Sequence, residues 1–218
     1  MQNSLRFNWI YRLSHKISVL LHPLLMPTYG VLLLFLSYKI PGFSRWNYGK
    51  DLWDAYLFII WCFVFTFLAP TIFALVLKKS GYITSLSMED KRERTYPFLF
   101  TGLMYVLFYF FSGDLSDFKA PVVVNIFILG AVISILLAGV ISLSWKIRAH
   151  MIGIGGLCGM FFVLNVWSSI LFNHLITSIL LAGSVGFARL YLKAHTPMQI
   201  LLGFLLGFFS ISIYVFIW

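Results

Sequence analysis

The chain has 218 residues, of which 61% are hydrophobic and only 11% are charged, and its mean hydropathy is +0.92. Soluble domains carry roughly 25% charged residues because most of their surface meets water, so this composition excludes a soluble protein and predicts an integral membrane protein. The net charge of +9 falls mainly in the connecting segments. Membrane topology and anionic lipid headgroups explain such a charge, and we expect the lipid bilayer, and no nucleic acid, as the partner.

Charge-free apolar runs predict a single all-α domain over residues 1–218, a multi-pass transmembrane helical bundle of about six to seven spans. The predicted spans, in chain order, are residues 17–38, 55–77, 97–112, 120–144, two within 151–188, and 197–218. The run 151–188 is too long for one span, and we expect it to divide at SSILFNH, where Asn173 and His174 supply a polar turn. In the first span His22 precedes Pro23 and Pro27. We interpret it as a packing residue of a Pro-bent helix, with a part in lipid entry as the alternative.

The predicted spans put three connecting segments on one face of the membrane, namely residues 78–96, 145–150 and 189–196. Together with the N-terminal arm these segments hold twelve of the 16 Lys and Arg residues. The positive-inside rule would make this basic face cytoplasmic, unless the same cations serve to bind an anion. Each of the three segments carries a polar motif within an otherwise apolar chain.

The first motif is MEDKRERTYPF, residues 88–98. One interpretation is a basic flank that anchors the neighbouring spans at the lipid headgroups, since such flanks are usually rich in Lys and Arg. The other is a cluster of cations for a phosphoryl group, because the planar guanidinium fork of Arg matches two phosphate oxygens at once. The motif alone favours the flank.

The second motif is SWKIRAHMIGIGG, residues 144–156. His150 stands at the membrane boundary before an apolar helix, where a His is either a polar tip at the interface or a functional group. The glycines that follow, in GIGGLCGM (153–160), come after no strand, so they do not indicate a nucleotide-binding loop. They predict close packing between membrane helices.

The third motif is ARLYLKAHTPMQ, which ends where the last predicted span begins. Thr196 suits the N-cap of that helix, Pro197 its first position and Gln199 its third, which is the pattern of a capping box. Arg189 and His195 have no such structural explanation. Arg189 has no acidic neighbour in sequence, and ionisable groups at such depth usually mark function.

Taken together, the three motifs bring two His and at least three Arg to one face, with no metal-ligand spacing and no Ser–His–Asp arrangement. Four of the seven acidic residues fall on the opposite face. A site rich in Arg and His and poor in carboxylate is suited to an anion such as phosphate. Phosphoryl transfer requires positioning and charge stabilisation, together with a nucleophile and a proton donor.

The pattern resembles the type-2 phosphatidic acid phosphatase superfamily of membrane lipid-phosphate phosphatases, over residues 52–218. The family motif Ser-Arg-x5-His-x3-Asp corresponds to Ala188-Arg189-x5-His195-x3-Gln199. The motif Pro-Ser-Gly-His matches only in its His, as Ile147-Arg148-Ala149-His150. The motif Lys-x6-Arg-Pro matches loosely, with Arg94 three residues before Pro97 and Lys91 close by.

The resemblance implies a mechanism without metal or cofactor. His195 would attack the phosphorus, His150 would protonate the leaving group, and water would hydrolyse the phosphohistidine. Phosphate oxygens would be held by Arg189, Arg94, Lys91 and Arg148, the last of which replaces the motif's Ser. The substrate would be a lipid phosphate or polyprenyl diphosphate in a bacterial inner membrane.

The main departure from the family is Gln199, which stands where the motif has Asp. Its amide oxygen can accept the imidazole N–H and orient His195, but it supplies no negative charge to stabilise an imidazolium. The alternative function is therefore a protein of the same fold that binds anionic lipid headgroups without catalysis. A transporter is less well supported, because Asp, Glu, Lys and Arg are absent from the middle of the later spans.

Overall fold

A computed structural model describes residues 9–37, 52–86, 88, 90–113, 122–144, 149–167, 171–193 and 196–213. These residues form helices in the order α1 (Trp9–Leu20), α2 (Met26–Leu36), α3 (Leu52–Phe63), α4 (Ala69–Lys79), α5 (Lys91–Gly113), α6 (Val122–Ser144), α7 (Ala149–Trp167), α8 (Phe172–Tyr191) and α9 (Pro197–Ser212). The described part of the chain is thus an all-α, multi-pass helical bundle, as its composition predicts.

Within the described residues, five helical units are long and apolar enough to cross a membrane. They are the continuous helix Ala55–Lys79, which joins α3 and α4, followed by α5, α6, α7 and α8. The pair α1 and α2 makes a sixth if it counts as one span, and its two parts are bent by 41°. The protein is therefore an integral membrane protein, and α9 adds a shorter apolar helix of 16 residues.

The N-terminal helix pair differs from the predicted span over residues 17–38. The helix begins at Trp9, and it breaks after Leu20 before a short 3₁₀ turn formed by Pro23–Leu25. On α1 the buried residues are Ser14 and Ser18, whereas large apolar side chains such as Trp9 are exposed. Small polar residues on the inner side allow close helix packing in a membrane, so this helix belongs to the bundle despite its low hydropathy.

Two other helix boundaries depart from the prediction. The helix α5 begins at Lys91, six residues before the predicted span, so most of the first polar motif is helical and Pro97 lies inside the helix. The run 151–188 does divide near SSILFNH, but Asn173 and His174 lie in the first turn of α8 and not ahead of it. There the Nε2 atom of His174 lies 3.0 Å from the Ser37 hydroxyl oxygen.

The helix α7 lies at the centre of the bundle. Of its residues Ala149–Val166, 67% are buried, which is the highest share among the five spans. It packs most closely against α9. A Cβ added at Gly155 or Gly159 would meet the backbone of Phe204 or Phe208, and one at Gly207 would meet the backbone of Ile152. The glycine-rich stretch therefore permits close helix packing, as its sequence predicts.

Candidate functional site

His150, the second residue of α7, forms a hydrogen bond with the end of α1. Its Nε2 atom lies 3.1 Å from the carbonyl oxygen of Ser18. A carbonyl can only accept, so Nε2 carries the hydrogen and donates it. Ser18 lies in the last turn of α1, where carbonyls lack partners within the helix, and His150 supplies one from another helix. The break after α1 thus fixes the position and the tautomer of the imidazole.

His22 lies at the break itself, and its ring faces that of His150. The two ring centroids are 5.6 Å apart with an angle of 73° between the planes, which is an edge-to-face contact. The Phe67 ring makes a second edge-to-face contact with the His22 ring, with the centroids 6.0 Å apart and an angle of 80° between the planes. The contact between His22 and His150 was not anticipated from the sequence, because it depends on the tertiary packing of α7 against the end of α1.

Arg189, on α8, is the third residue considered with these two histidines. It lies in the last turn of α8, where a cation interacts favourably with the carbonyl end of the helix dipole. Its guanidinium lies within electrostatic range of the His22 ring. The side chains of Arg189 and both histidines are partly buried. We call His22, His150 and Arg189 the cationic cluster.

Arg94 has a contact of its own near the start of α5. The side chain is only 7% exposed, and its Nε donates to the carbonyl oxygen of Met88 at 2.7 Å. Met88 has a φ of 46°, a left-handed conformation that costs energy in a residue other than Gly. Glu93, the neighbour of Arg94 in the sequence, accepts a hydrogen bond from the backbone N–H of Thr84 at 2.8 Å. Arg94 and Glu93 hold the connection between α4 and α5 in place, and a phosphate-binding role for Arg94 stays a prediction.

Three residues of the predicted site lie outside what the structure describes. His195 and Arg148 fall in undescribed segments, and the side chain of Lys91 is likewise not described although its backbone begins α5. Their proposed roles as nucleophile and phosphate-binding cations stay predictions. The part of the site with described geometry is therefore the cationic cluster, Arg94 and the start of α9.

Gln199 forms the capping box that the sequence predicts. Its Oε1 accepts from the backbone N–H of Thr196 at 3.2 Å, and the Thr196 hydroxyl accepts from the backbone N–H of Gln199 at 3.4 Å. Pro197 occupies the first helical position. The amide oxygen that would orient His195 thus already has one donor, and the orienting role stays a prediction.

The cationic cluster has the chemistry of an anion site. His150 stands at the N-terminus of α7, where the helix dipole favours negative charge, and Arg189 adds a full positive charge. Among the described residues no group of three or more His, Cys, Asp or Glu side chains is arranged to hold a metal ion. An anion with several acceptor oxygens would find donors in the guanidinium of Arg189 and, when that ring is protonated, in the Nδ1 of His150.

Comparisons of the chain with protein-family models, with curated proteins and with solved structures found no match. The support for the chemistry of the site is therefore the cationic cluster and the motifs around it.

Proposed function

We propose that the protein is an integral-membrane phosphatase that hydrolyses lipid phosphates or polyprenyl diphosphates. The observation that carries the proposal is the contact of the His150 and His22 rings, with Arg189 within electrostatic range of His22. Each of these residues also has a structural contact: Arg189 suits the end of α8, and the two imidazoles bond backbone groups at the break after α1. Those contacts do not require the two imidazoles and a guanidinium to lie near one another, and this combination is the one that phosphoryl transfer uses.

In the proposed reaction His195 attacks the phosphorus and the bond to the leaving oxygen breaks. His150, protonated at Nδ1 while its Nε2–H stays on the Ser18 carbonyl, gives the Nδ1 proton to that oxygen, so the lipid alcohol or phosphate departs protonated. Arg189 holds the remaining phosphate oxygens, with Arg94, Lys91 and Arg148 as further candidates. Water then attacks the phosphohistidine while His150 takes up one of its protons at Nδ1, which restores both histidines, so the reaction consumes one water and releases phosphate.

An apolar cavity supports a lipid as the substrate. It is lined by Pro23 and Ala149, which are the chain neighbours of His22 and His150, and by residues such as Phe127 and Ile152. A phosphate at the cationic cluster could therefore extend a hydrocarbon chain between the helices. Membrane lipids have both parts, whereas a free phosphate ester lacks the apolar one.

The second candidate is a protein that binds anionic headgroups without hydrolysing them. Gln199 favours it, because the position has no carboxylate and the amide oxygen already caps α9. In another His–Asp system the loss of that carboxylate costs orders of magnitude in rate. A binding protein needs the cations of the cluster but has no use for a nucleophile at position 195.

The deciding experiment measures phosphate release by purified protein in detergent with phosphatidate, phosphatidylglycerol phosphate and undecaprenyl diphosphate. We expect release from at least one of them, abolished in His195→Ala and strongly reduced in His150→Ala. His15→Ala is the matched control, because His15 is an exposed histidine of α1. Release from none of the three lipids would favour the binding protein. Undiminished release by His195→Ala would contradict the phosphohistidine mechanism.

A further inference from the structure

We propose that His22 is a binding residue of this site and donates its Nε2–H to a phosphate oxygen of the bound headgroup. The inference rests on the proposed function, since it assigns a role within the same site. Its basis is the position of His22 in the break between α1 and α2, where the ring lies edge-to-face with His150 and near Arg189.

The local backbone fixes the proton on the ring of His22. The residue is the N-cap of the 3₁₀ turn Pro23–Leu25, and its Nδ1 accepts the backbone N–H of Leu24 at 3.4 Å. An imidazole nitrogen that accepts carries no hydrogen, so the neutral ring has its hydrogen on Nε2. Thus the same break that holds His150 through the Ser18 carbonyl also prepares His22 as a donor.

The surroundings of the ring favour an anion as the acceptor of this hydrogen. Phe67 and His150 pack against His22 in edge-to-face contacts, which restrict its orientation. Arg189 acts on the ring as a positive charge and would attract the same anion. The Nε2–H of His22 and the guanidinium of Arg189 could thus donate to oxygens of the same phosphate.

Two substitutions separate binding from capping. In His22→Asn the short amide can still accept the Leu24 N–H, because Asn is a good N-cap residue, but no group reaches the position of Nε2. In His22→Gln the longer amide can place an N–H near the position of Nε2, whereas the cap is weakened. Binding of inorganic phosphate is measured by calorimetry for each variant and for the wild type, and KM and kcat are measured for phosphatidate hydrolysis.

We expect His22→Asn to weaken phosphate binding and raise KM by about tenfold or more, the loss of one hydrogen bond to a charged group. We expect His22→Gln to stay within about threefold of the wild type. The reverse order, or binding unchanged in both variants, would overturn the role of His22. In that case the proposed function stands if the wild type still releases phosphate.

The proposed catalytic function can also fail while the binding role of His22 stands. If the wild type hydrolyses no lipid phosphate but His22→Asn binds inorganic phosphate tenfold more weakly, catalysis is refuted and the binding role of His22 stands. If the wild type binds no phosphate at all, the role of His22 is refuted together with the site. Unfolding temperatures of both variants show whether a change in binding follows a loss of structure.

Discussion

The contact between α7 and α9 predicts a large effect of a single methyl group at Gly207. A Cβ built there would lie 2.8 Å from the carbonyl carbon of Ile152 and 2.9 Å from the amide nitrogen of Gly156, with the Ile152 carbonyl oxygen closer still. Ordinary contact begins at about 3.4 Å. All three atoms belong to backbone, so no side chain can rotate away from the methyl group.

The cost follows from the separation that Gly207→Ala would impose. Moving the Ile152 carbonyl carbon from 2.8 to 3.4 Å requires at least 0.6 Å, and its oxygen requires more. A gap of about 0.5–1 Å already forfeits a quarter to a half of the dispersion energy of each contact across it. Typical overpacking costs about 1–3 kcal/mol. We expect Gly207→Ala to lower the free energy of unfolding by about 3 kcal/mol or more, because two helix backbones must separate.

The measurement is the unfolding temperature in detergent, followed by the fluorescence of the tryptophans. Gly183→Ala is the matched control, since Gly183 lies within α8 and a Cβ there would have no neighbour within 4 Å. Alanine is the better helix former by about 1 kcal/mol, so this control is expected to leave stability unchanged or to raise it. Equal unfolding temperatures for Gly207→Ala and Gly183→Ala would refute the close approach of α7 and α9.

Three further predictions concern the start of α9 and the chemistry. Thr196→Ala removes the N-cap and is expected to cost about 1 kcal/mol of stability, whereas Thr196→Ser keeps it, as thermal unfolding would show. Gln199→Asp introduces the carboxylate of the phosphatase motif that the chain resembles, and is expected to leave phosphate release unchanged or to raise it. Abolished release would show that Gln199 has a task other than orienting His195. A chelator is expected to leave phosphate release unchanged, as the resemblance implies, and loss of activity restored by a divalent metal would contradict it.

Features that depend on neighbours in the chain were predictable from the sequence. The capping box joins Thr196 to a residue three positions away, and the structure forms both of its hydrogen bonds. The glycines between 153 and 160 indicate close packing for a similar reason, because absent side chains allow any partner to approach. The sequence could not identify the partners of these glycines, which are the backbone of α9 for Gly155 and Gly159 and residues Pro23 and Met26 for Gly153.

The N-terminal helix pair shows what hydropathy misses. A count of apolar residues places one span at 17–38, since the run through Leu21 and Pro23 stays apolar on both sides of the break. The structure puts the break there because Pro23 and Pro27 lack the N–H groups that a continuous helix would use. The polar inner side of α1 lowers the mean hydropathy of the helix. A count of apolar residues therefore misses the part of α1 before residue 17, although large apolar side chains such as Trp9 are exposed on its outer side.

The cationic cluster follows from the way this break is satisfied. An interrupted helix leaves carbonyls and amides unpaired, and inside a membrane such groups need partners from the protein. His150 binds the Ser18 carbonyl and His22 binds the Leu24 amide, so both imidazoles have a structural task at the break. Each task uses one ring nitrogen. The break at the end of α1 therefore leaves two oriented imidazoles, one of them within electrostatic range of Arg189. A phosphate would accept from the Nε2–H of His22 and from Arg189, and from the Nδ1 of His150 once that ring is protonated.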